Sequence, residues 1–219
     1  MACDRTVDSY RAVEVWAKGW KEFEIVELGL MENEYYKTKE SVEEYIHLAK
    51  DVNGGVLIEK LKNYLASGSK LLELGSGPGT DWKILSDNYA VTGSDFSPEF
   101  IRHLEVHYPK GTFLELNAAT LESKEKFDGI YSNKVLQHLK DEELSASIQK
   151  QYDMLNGGGV ICHSMWKGEG SEIFKGMFVN YHTEDEIRTI FEPFFETLVL
   201  EPYAEFEADD SLLFIGRKK

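Results

Sequence analysis

Hydrophobic positions in the first third of the chain recur at helical spacing. Tyr10, Val13, Trp16 and Trp20 form one series; Val56, Ile58, Leu61 and Leu65 form another. Asn53-Gly54-Gly55 separates two helical segments and Ser67-Gly68-Ser69 closes the second. From Lys70 the pattern changes to strand-length apolar runs alternating with helical stretches. Strands are predicted over 70–74, 89–92, 112–116, 127–131 and 159–165, with helices over 81–88, 98–107 and 141–155 between them. A helix over 183–191 precedes two strands, 196–200 and 211–216, joined only by a loop. That arrangement predicts an antiparallel pair at the sheet edge. The pattern as a whole predicts an α/β fold: a mostly parallel sheet with helices on both faces and an N-terminal helical cap. The expected division is a cap over 1–66, integral to the domain, and a core over 67–219.

Composition narrows the partners. The chain has 219 residues and a formal net charge of −15. Through Lys70 there are 10 basic against 13 acidic residues, and after it 14 against 26. No basic stripe fits that distribution, so neither nucleic acid nor an anionic membrane is an expected partner. Cys3 and Cys162 cannot form a disulfide scaffold and fit a reduced, cytoplasmic setting. No apolar stretch approaches the roughly 18 residues of a membrane span. Residues 1–10 are polar and lack the apolar centre of a signal peptide.

The chemistry concentrates after the strand at 70–74. Leu71-Leu72-Glu73-Leu74-Gly75-Ser76-Gly77-Pro78-Gly79-Thr80 runs an apolar strand into three glycines at alternate positions, and a helix follows. Such a loop lets a ligand approach the backbone at the carboxyl end of a strand. A dinucleotide fingerprint needs its last glycine at position 80, where this chain has Thr80. Glu73 places a charge in an otherwise apolar strand, and a charge there needs a partner. Twenty residues after Gly75, a second strand ends in Asp95, followed by Phe96 and Ser97. A carboxylate at that position can accept two hydrogen bonds from ribose hydroxyls, and Phe96 can pack on an adenine face. Ser97 is the natural cap for the next helix.

This ordered set resembles class I S-adenosylmethionine-dependent methyltransferases, whose first motif reads acid-x-Gly-x-Gly-x-Gly. The resemblance covers roughly 42–217. It implies a Rossmann-like, seven-stranded sheet with an antiparallel C-terminal strand, and S-adenosylmethionine as cofactor, released as S-adenosylhomocysteine. Glu73, Gly75, Ser76, Gly77 and Gly79 would form the cofactor loop, with Glu73 facing the methionine amino group. Asp95 and Phe96 would hold ribose and adenine. Asn117 and Ala118 match the adenine-contacting turn, where the family usually has Asp and the Asn117 amide oxygen can still meet the adenine amino group. Backbone around Ser132 and Asn133 would line the methionine end, and Asn156-Gly157-Gly158-Gly159 resembles the glycine turn before the fifth strand.

Candidates for the rest of the site come from predicted strand ends and the cap. His138 and His163 are the possible general bases, if the acceptor needs one. Tyr35, Tyr36, His138, His163, Trp166 and Tyr181 are the candidate lining of a substrate pocket. No metal is expected: His103 and His107 share a helical face, but Leu104 stands where a zincin helix needs Glu. Tyr35 and Lys39 have the spacing of a reductase pair but precede the glycine loop, and Cys162 reads as a buried thiol. The expected activity is methyl transfer to a small-molecule acceptor by in-line displacement, in a cytoplasmic monomer or homodimer. Two other readings stay open: a nicotinamide-dependent oxidoreductase, and a methyltransferase-like binder without turnover.

Overall fold

The apolar run Lys70–Leu74 forms strand β1, from which the sheet grows in both directions. The computed structural model describes residues 36, 38–49, 52–174 and 176–219. Cys3, Tyr10, Val13, Trp16, Trp20 and Tyr35 lie outside the described residues, as does most of the expected cap.

Helices α1 (Lys39–Leu48) and α2 (Gly55–Leu61) precede β1. Then α3 (Thr80–Ser86), β2 (Ala90–Asp95), α4 (Pro98–His107), β3 (Thr112–Glu115) and β4 (Phe127–Asn133) follow in order. A 3-10 turn at Leu136–His138 leads to α5 (Asp141–Met154) and β5 (Leu155–Trp166). The chain closes with β6 (Ser171–Phe174), β7 (Met177–Asn180), α6 (Glu184–Phe191), β8 (Phe195–Tyr203) and β9 (Ser211–Lys218).

Seven strands form one sheet in the order β3-β2-β1-β4-β5-β9-β8. β1 to β5 run parallel, and β9 lies between β5 and β8, antiparallel to both. The expected antiparallel pair is therefore present at this edge, with its C-terminal strand tucked inside. Strand order reverses between β1 and β4, which leaves a crevice beyond their carboxyl ends.

Alternate residues of β1 explain why both faces need cover. Leu72 and Leu74 face one core with Ile130, Ile161, Leu144 and Phe191, supplied in part by α5 and α6. Leu71 faces the other with Tyr131, Cys162, Leu85 and the α2 residues Ile58 and Leu61. Local signals fix the helix starts. Ser97 Oγ accepts the Phe100 N–H, and Thr183 and Glu186 form a reciprocal capping box.

Three expectations shift. Val56 is 70% exposed and Leu57 takes the buried position of α2, which ends at Leu61 well before Ser67-Gly68-Ser69. The turn at 156–159 falls inside β5, where the pairing with β4 is irregular between Phe127 and Gly129. The hairpin β6–β7 was not predicted, because four-residue strands are too short to display a period of two.

Candidate active site

Beyond Leu74 the chain turns through the glycine loop into α3, with Gly75, Gly77 and Gly79 all at positive φ. The last two serve different ends. A Cβ on Gly79 would lie 2.7 Å from Leu104 Cδ2 and from Tyr108 Cε2, so this glycine lets α4 pack against the loop. A Cβ on Gly77 would meet nothing nearer than Tyr45 Cε1 at 3.9 Å. Gly77 faces open cleft.

Carboxylates surround this loop. Asp95 Oδ2 accepts the Gly77 N–H and Oδ1 accepts the Ser97 N–H, each at 2.9 Å. Burial raises the Asp95 pKa to about 6, a rise restrained by the backbone N–H groups of Ser97, Gly77 and Phe96. Glu73 is 2% exposed and accepts the Ser76 hydroxyl at 2.6 Å. Its pKa rises to about 8, first through burial, then through the charge of Asp81, with a smaller push from Asp95. Asp81 accepts the Gly54 N–H at 2.6 Å, the Tyr131 hydroxyl at 2.7 Å and the Asn133 amide at 3.1 Å. Three acids thus meet where the loop, α2 and β4 converge, and a cation placed among them relieves their repulsion.

Two adjoining cavities open beside the loop, of about 130 and 320 Å³. Glu73, Ser76, Asp81, Trp166 and Glu205 line the smaller. Asp95, Phe96, Asn117, Ala118 and Glu143 line the larger. Gly75, Gly77, Tyr36, Tyr45, Asn133 and His138 line both, so the two are halves of one cleft.

Most of the sequence candidates therefore meet here, though not all. Phe96 is 46% exposed on the rim of the larger cavity. Asn117 lines it too, but its amide oxygen already accepts the Ala119 N–H at 2.8 Å, leaving one further lone pair. Ser132 is fully buried, and its hydroxyl points to His163 Nδ1 at 2.8 Å, beneath the sheet rather than into the cleft. His163 is fully buried on that same face and lines neither cavity; burial pulls its pKa down to about 3. The expectation that His163 faces substrate fails, because its side of β5 packs on α5 and α6. Tyr181 packs with Trp166 and gives its hydroxyl to Glu172 at 2.6 Å, outside both cavities. Cys162 is buried mid-strand, which pushes its thiol pKa up and leaves it unreactive. His103 and His107 stack at 3.9 Å on α4, away from the cleft.

His138 is the histidine that reaches the cleft. Its Nδ1 lies 2.8 Å from the Phe178 carbonyl, which can only accept, so Nδ1 carries the proton and Nε2 the lone pair. Burial lowers its pKa, partly opposed by that carbonyl, and the ring stays neutral at pH 7.

Comparison with known proteins agrees with this architecture. Residues 71–159 match the methyltransferase domain family. Over that stretch the chain is similar to methyltransferase domains. A trans-aconitate 2-methyltransferase of Agrobacterium fabrum is 31% identical over 96 residues, which is 42% of this chain and 37% of that protein. The 1,6-didemethyltoxoflavin-N1-methyltransferase of Burkholderia thailandensis, solved with S-adenosylhomocysteine, superposes with a TM-score of 0.69 at 15% identity, covering 100% of this chain and 93% of that one. The N-methyltransferase NodS of Bradyrhizobium japonicum superposes at 0.63 with 18% identity, covering 82% and 97%. At such identities these likenesses establish the fold.

Four cleft residues carried no signal in the motif reading. Asp81 looks like an ordinary acid in the first turn of α3, and only the fold brings Tyr131 and Asn133 to it. Tyr45 comes from α1, and burial raises its hydroxyl pKa to about 12, helped by Asp95, Asp81 and Glu205. Glu205 arrives from the β8–β9 loop, whose backbone N–H groups at 205, 206 and 207 all donate to Asp210. Lys134 sits at φ 58, donating through Nζ to Ser211 and Met165 over the Trp166 ring. Burial lowers its pKa to about 7, with Glu205 and Asp210 opposing.

Proposed function

We propose that the protein transfers the methyl group of S-adenosylmethionine to a small-molecule acceptor. The observation that carries this reading is the meeting of Glu73, Asp95 and the 117–118 turn along one cleft, with Gly77 open to it between them. The residues fit the cofactor. Glu73, crowded by Asp81 and Asp95, takes a cationic amino group, and Asp95 retains lone pairs for ribose hydroxyls. Phe96, Asn117 and Ala118 form the walls for adenine, and the backbone of Asn133 lies toward the methionine end. When bound, the cofactor supplies an electrophilic sulfonium methyl for in-line displacement.

The chain's own contribution is orientation and exclusion of water. Tyr36 and Tyr45 line both cavities, and Ser97 Oγ donates to the Tyr36 carbonyl, so the segment before β1 acts as a lid over the cleft. We place that lid within 1–66 and the catalytic core in 67–219. His138 Nε2 serves as proton acceptor when the acceptor atom carries a proton that must leave. Glu73, Asp81 and Glu205 line the smaller cavity, which favours a neutral or cationic acceptor over a polyanion. Among the described residues no helix is long and apolar enough to cross a membrane.

Isothermal titration with S-adenosylmethionine and S-adenosylhomocysteine tests the reading, after unfolding and refolding to strip copurified ligand. Micromolar binding followed by acceptor-dependent release of S-adenosylhomocysteine supports it. Folded protein that binds neither ligand removes it, and binding without turnover across a broad acceptor panel removes the catalytic half.

A further inference from the structure

Four buried side chains run in series beneath the cleft, from the end of β4 to the turn after β3. Ser132, His163, Gln151 and Ser147 are each fully buried. Ser132 Oγ lies 2.8 Å from His163 Nδ1, and His163 Nε2 lies 2.8 Å from Gln151 Oε1. Gln151 Nε2 is 3.2 Å from Ser147 Oγ, which is 2.6 Å from the Ala118 carbonyl oxygen.

The last atom sets the direction of every bond. A backbone carbonyl can only accept, so the Ser147 hydroxyl donates to Ala118. Ser147 Oγ then accepts the Gln151 amide N–H, and Gln151 Oε1 accepts the His163 Nε2–H. The bare Nδ1 of His163 accepts the Ser132 hydroxyl. A protonated imidazole would turn the Ser132 hydroxyl from donor to acceptor, and burial keeps His163 neutral. Every buried polar group in the series has its partner, the condition under which such a network rigidifies what it touches.

What it touches is the cleft. Ala118 lines the larger cavity together with Asn117 and Ala119. Asn117 holds that turn from within, through its own bond to Ala119, and Ser147 holds it from below. We propose that Ser147, aligned through Gln151 and His163, is a positioning residue for the adenine wall, setting the 118 carbonyl and so the affinity for the nucleoside half of the cofactor. This rests on the cofactor reading above. It also gives His163, which does not reach substrate, a defined task.

The test uses the full chain, with S-adenosylhomocysteine and 5′-methylthioadenosine as probes in calorimetry. Ser147→Ala removes the last donor and little volume. Its expected effect is a loss of about tenfold in affinity, equal for the two ligands because they share the adenosine. Gln151→Glu is nearly isosteric but accepts from both neighbours, so Ser147 turns its hydrogen away from Ala118. The same loss of affinity is expected there, with His163 becoming an imidazolium at pH 7, visible in its ¹⁵N NMR shifts. Lower thermal stability with unchanged affinity in both variants would reduce the series to packing and overturn the proposal. So would a loss seen with S-adenosylhomocysteine alone. If the unaltered protein binds neither probe, the cofactor reading itself falls; if it binds both and the variants match it, only this proposal falls.

Discussion

The Gly77 N–H donates to Asp95 Oδ2 at 2.9 Å, across 18 residues of sequence. The glycine loop and the acid that ends β2, two separate motifs in the sequence, are one hydrogen-bonded unit. With the Ser97 N–H on the other oxygen, the carboxylate is fixed in position while keeping lone pairs for a ligand. Asp95→Ala leaves both N–H groups unpaired and removes the acceptor. We expect S-adenosylhomocysteine affinity to fall at least about tenfold, with Asp95→Asn losing less because it keeps one oxygen. Calorimetry that finds Asp95→Ala unchanged would take Asp95 out of the ribose site.

Glu73 should make cofactor binding depend on pH. Its pKa of about 8 in the free protein means that it is mostly protonated at pH 7. Binding a cationic amino group favours the carboxylate, so binding at pH 7 should release close to one proton per molecule. Titrations in buffers of different ionisation enthalpy measure that number. Affinity should rise with pH until about 8 and then level off. The stability of the free protein follows the opposite sign. A folded pKa raised above the ordinary 4.5 gives stability that is full below 4.5 and lost as pH climbs through about 8. Glu73→Gln should flatten melting temperature between about pH 6 and 8 and abolish the proton release, leaving the fall as pH climbs to about 6 that the raised Asp95 contributes.

Gly77 and Gly79 should respond differently to added side chains. Gly77→Val projects into open cleft beside Tyr45, so its main structural cost is the left-handed backbone, about 1–2 kcal/mol. We expect a folded protein by circular dichroism that no longer binds cofactor. Gly79→Ala carries the same backbone strain and also drives a methyl into Leu104 and Tyr108, adding about 1–3 kcal/mol of overpacking. Chemical denaturation should rank Gly79→Ala as the less stable of the two, although it lies outside the cleft lining.

Asp81→Asn tests the charge that no motif announced. The amide keeps one acceptor oxygen for three donors, those of Gly54, Tyr131 and Asn133, so at least one is left unpaired. We expect a loss of about 2–3 kcal/mol in denaturant unfolding. The same change removes the larger of the two acidic neighbours that raise Glu73. The pH at which cofactor affinity levels off should therefore move down. An unchanged pH profile would mean that Asp81 does not contribute and that burial, with Asp95, holds Glu73 high.

The motif residues were legible because backbone requirements are local. A glycine at positive φ, a serine capping α4 and an acid ending a strand each leave a mark within a few positions. Glu73, Gly77 and Asp95 were readable for that reason, Asn117 only through the family resemblance, and the structure brings all four to the cleft. His138 and His163 were not separable. His163 lies within β5 and faces the side covered by α5 and α6, whereas His138 lies in the 3-10 turn after β4 and lines the cleft, a difference set by what packs around each. Val56 and Leu57 show the same limit, since a shift of one position on α2 exchanges solvent for core.

Sequence by itself determined the alternation of strands and helices, the glycine loop, and the acids that follow β1 and β2. Those features arise from hydrophobic periodicity and from steric limits on single residues. Tertiary structure decided the insertion of β9 between β5 and β8, and the roof that β6–β7 and the 204–210 loop add to the cleft. It also decided that Asp81 completes a cluster of three carboxylates and that His163 lies beneath the sheet. These outcomes depend on contacts between residues far apart in the chain, whose energies are set by burial and by partners that no local pattern encodes.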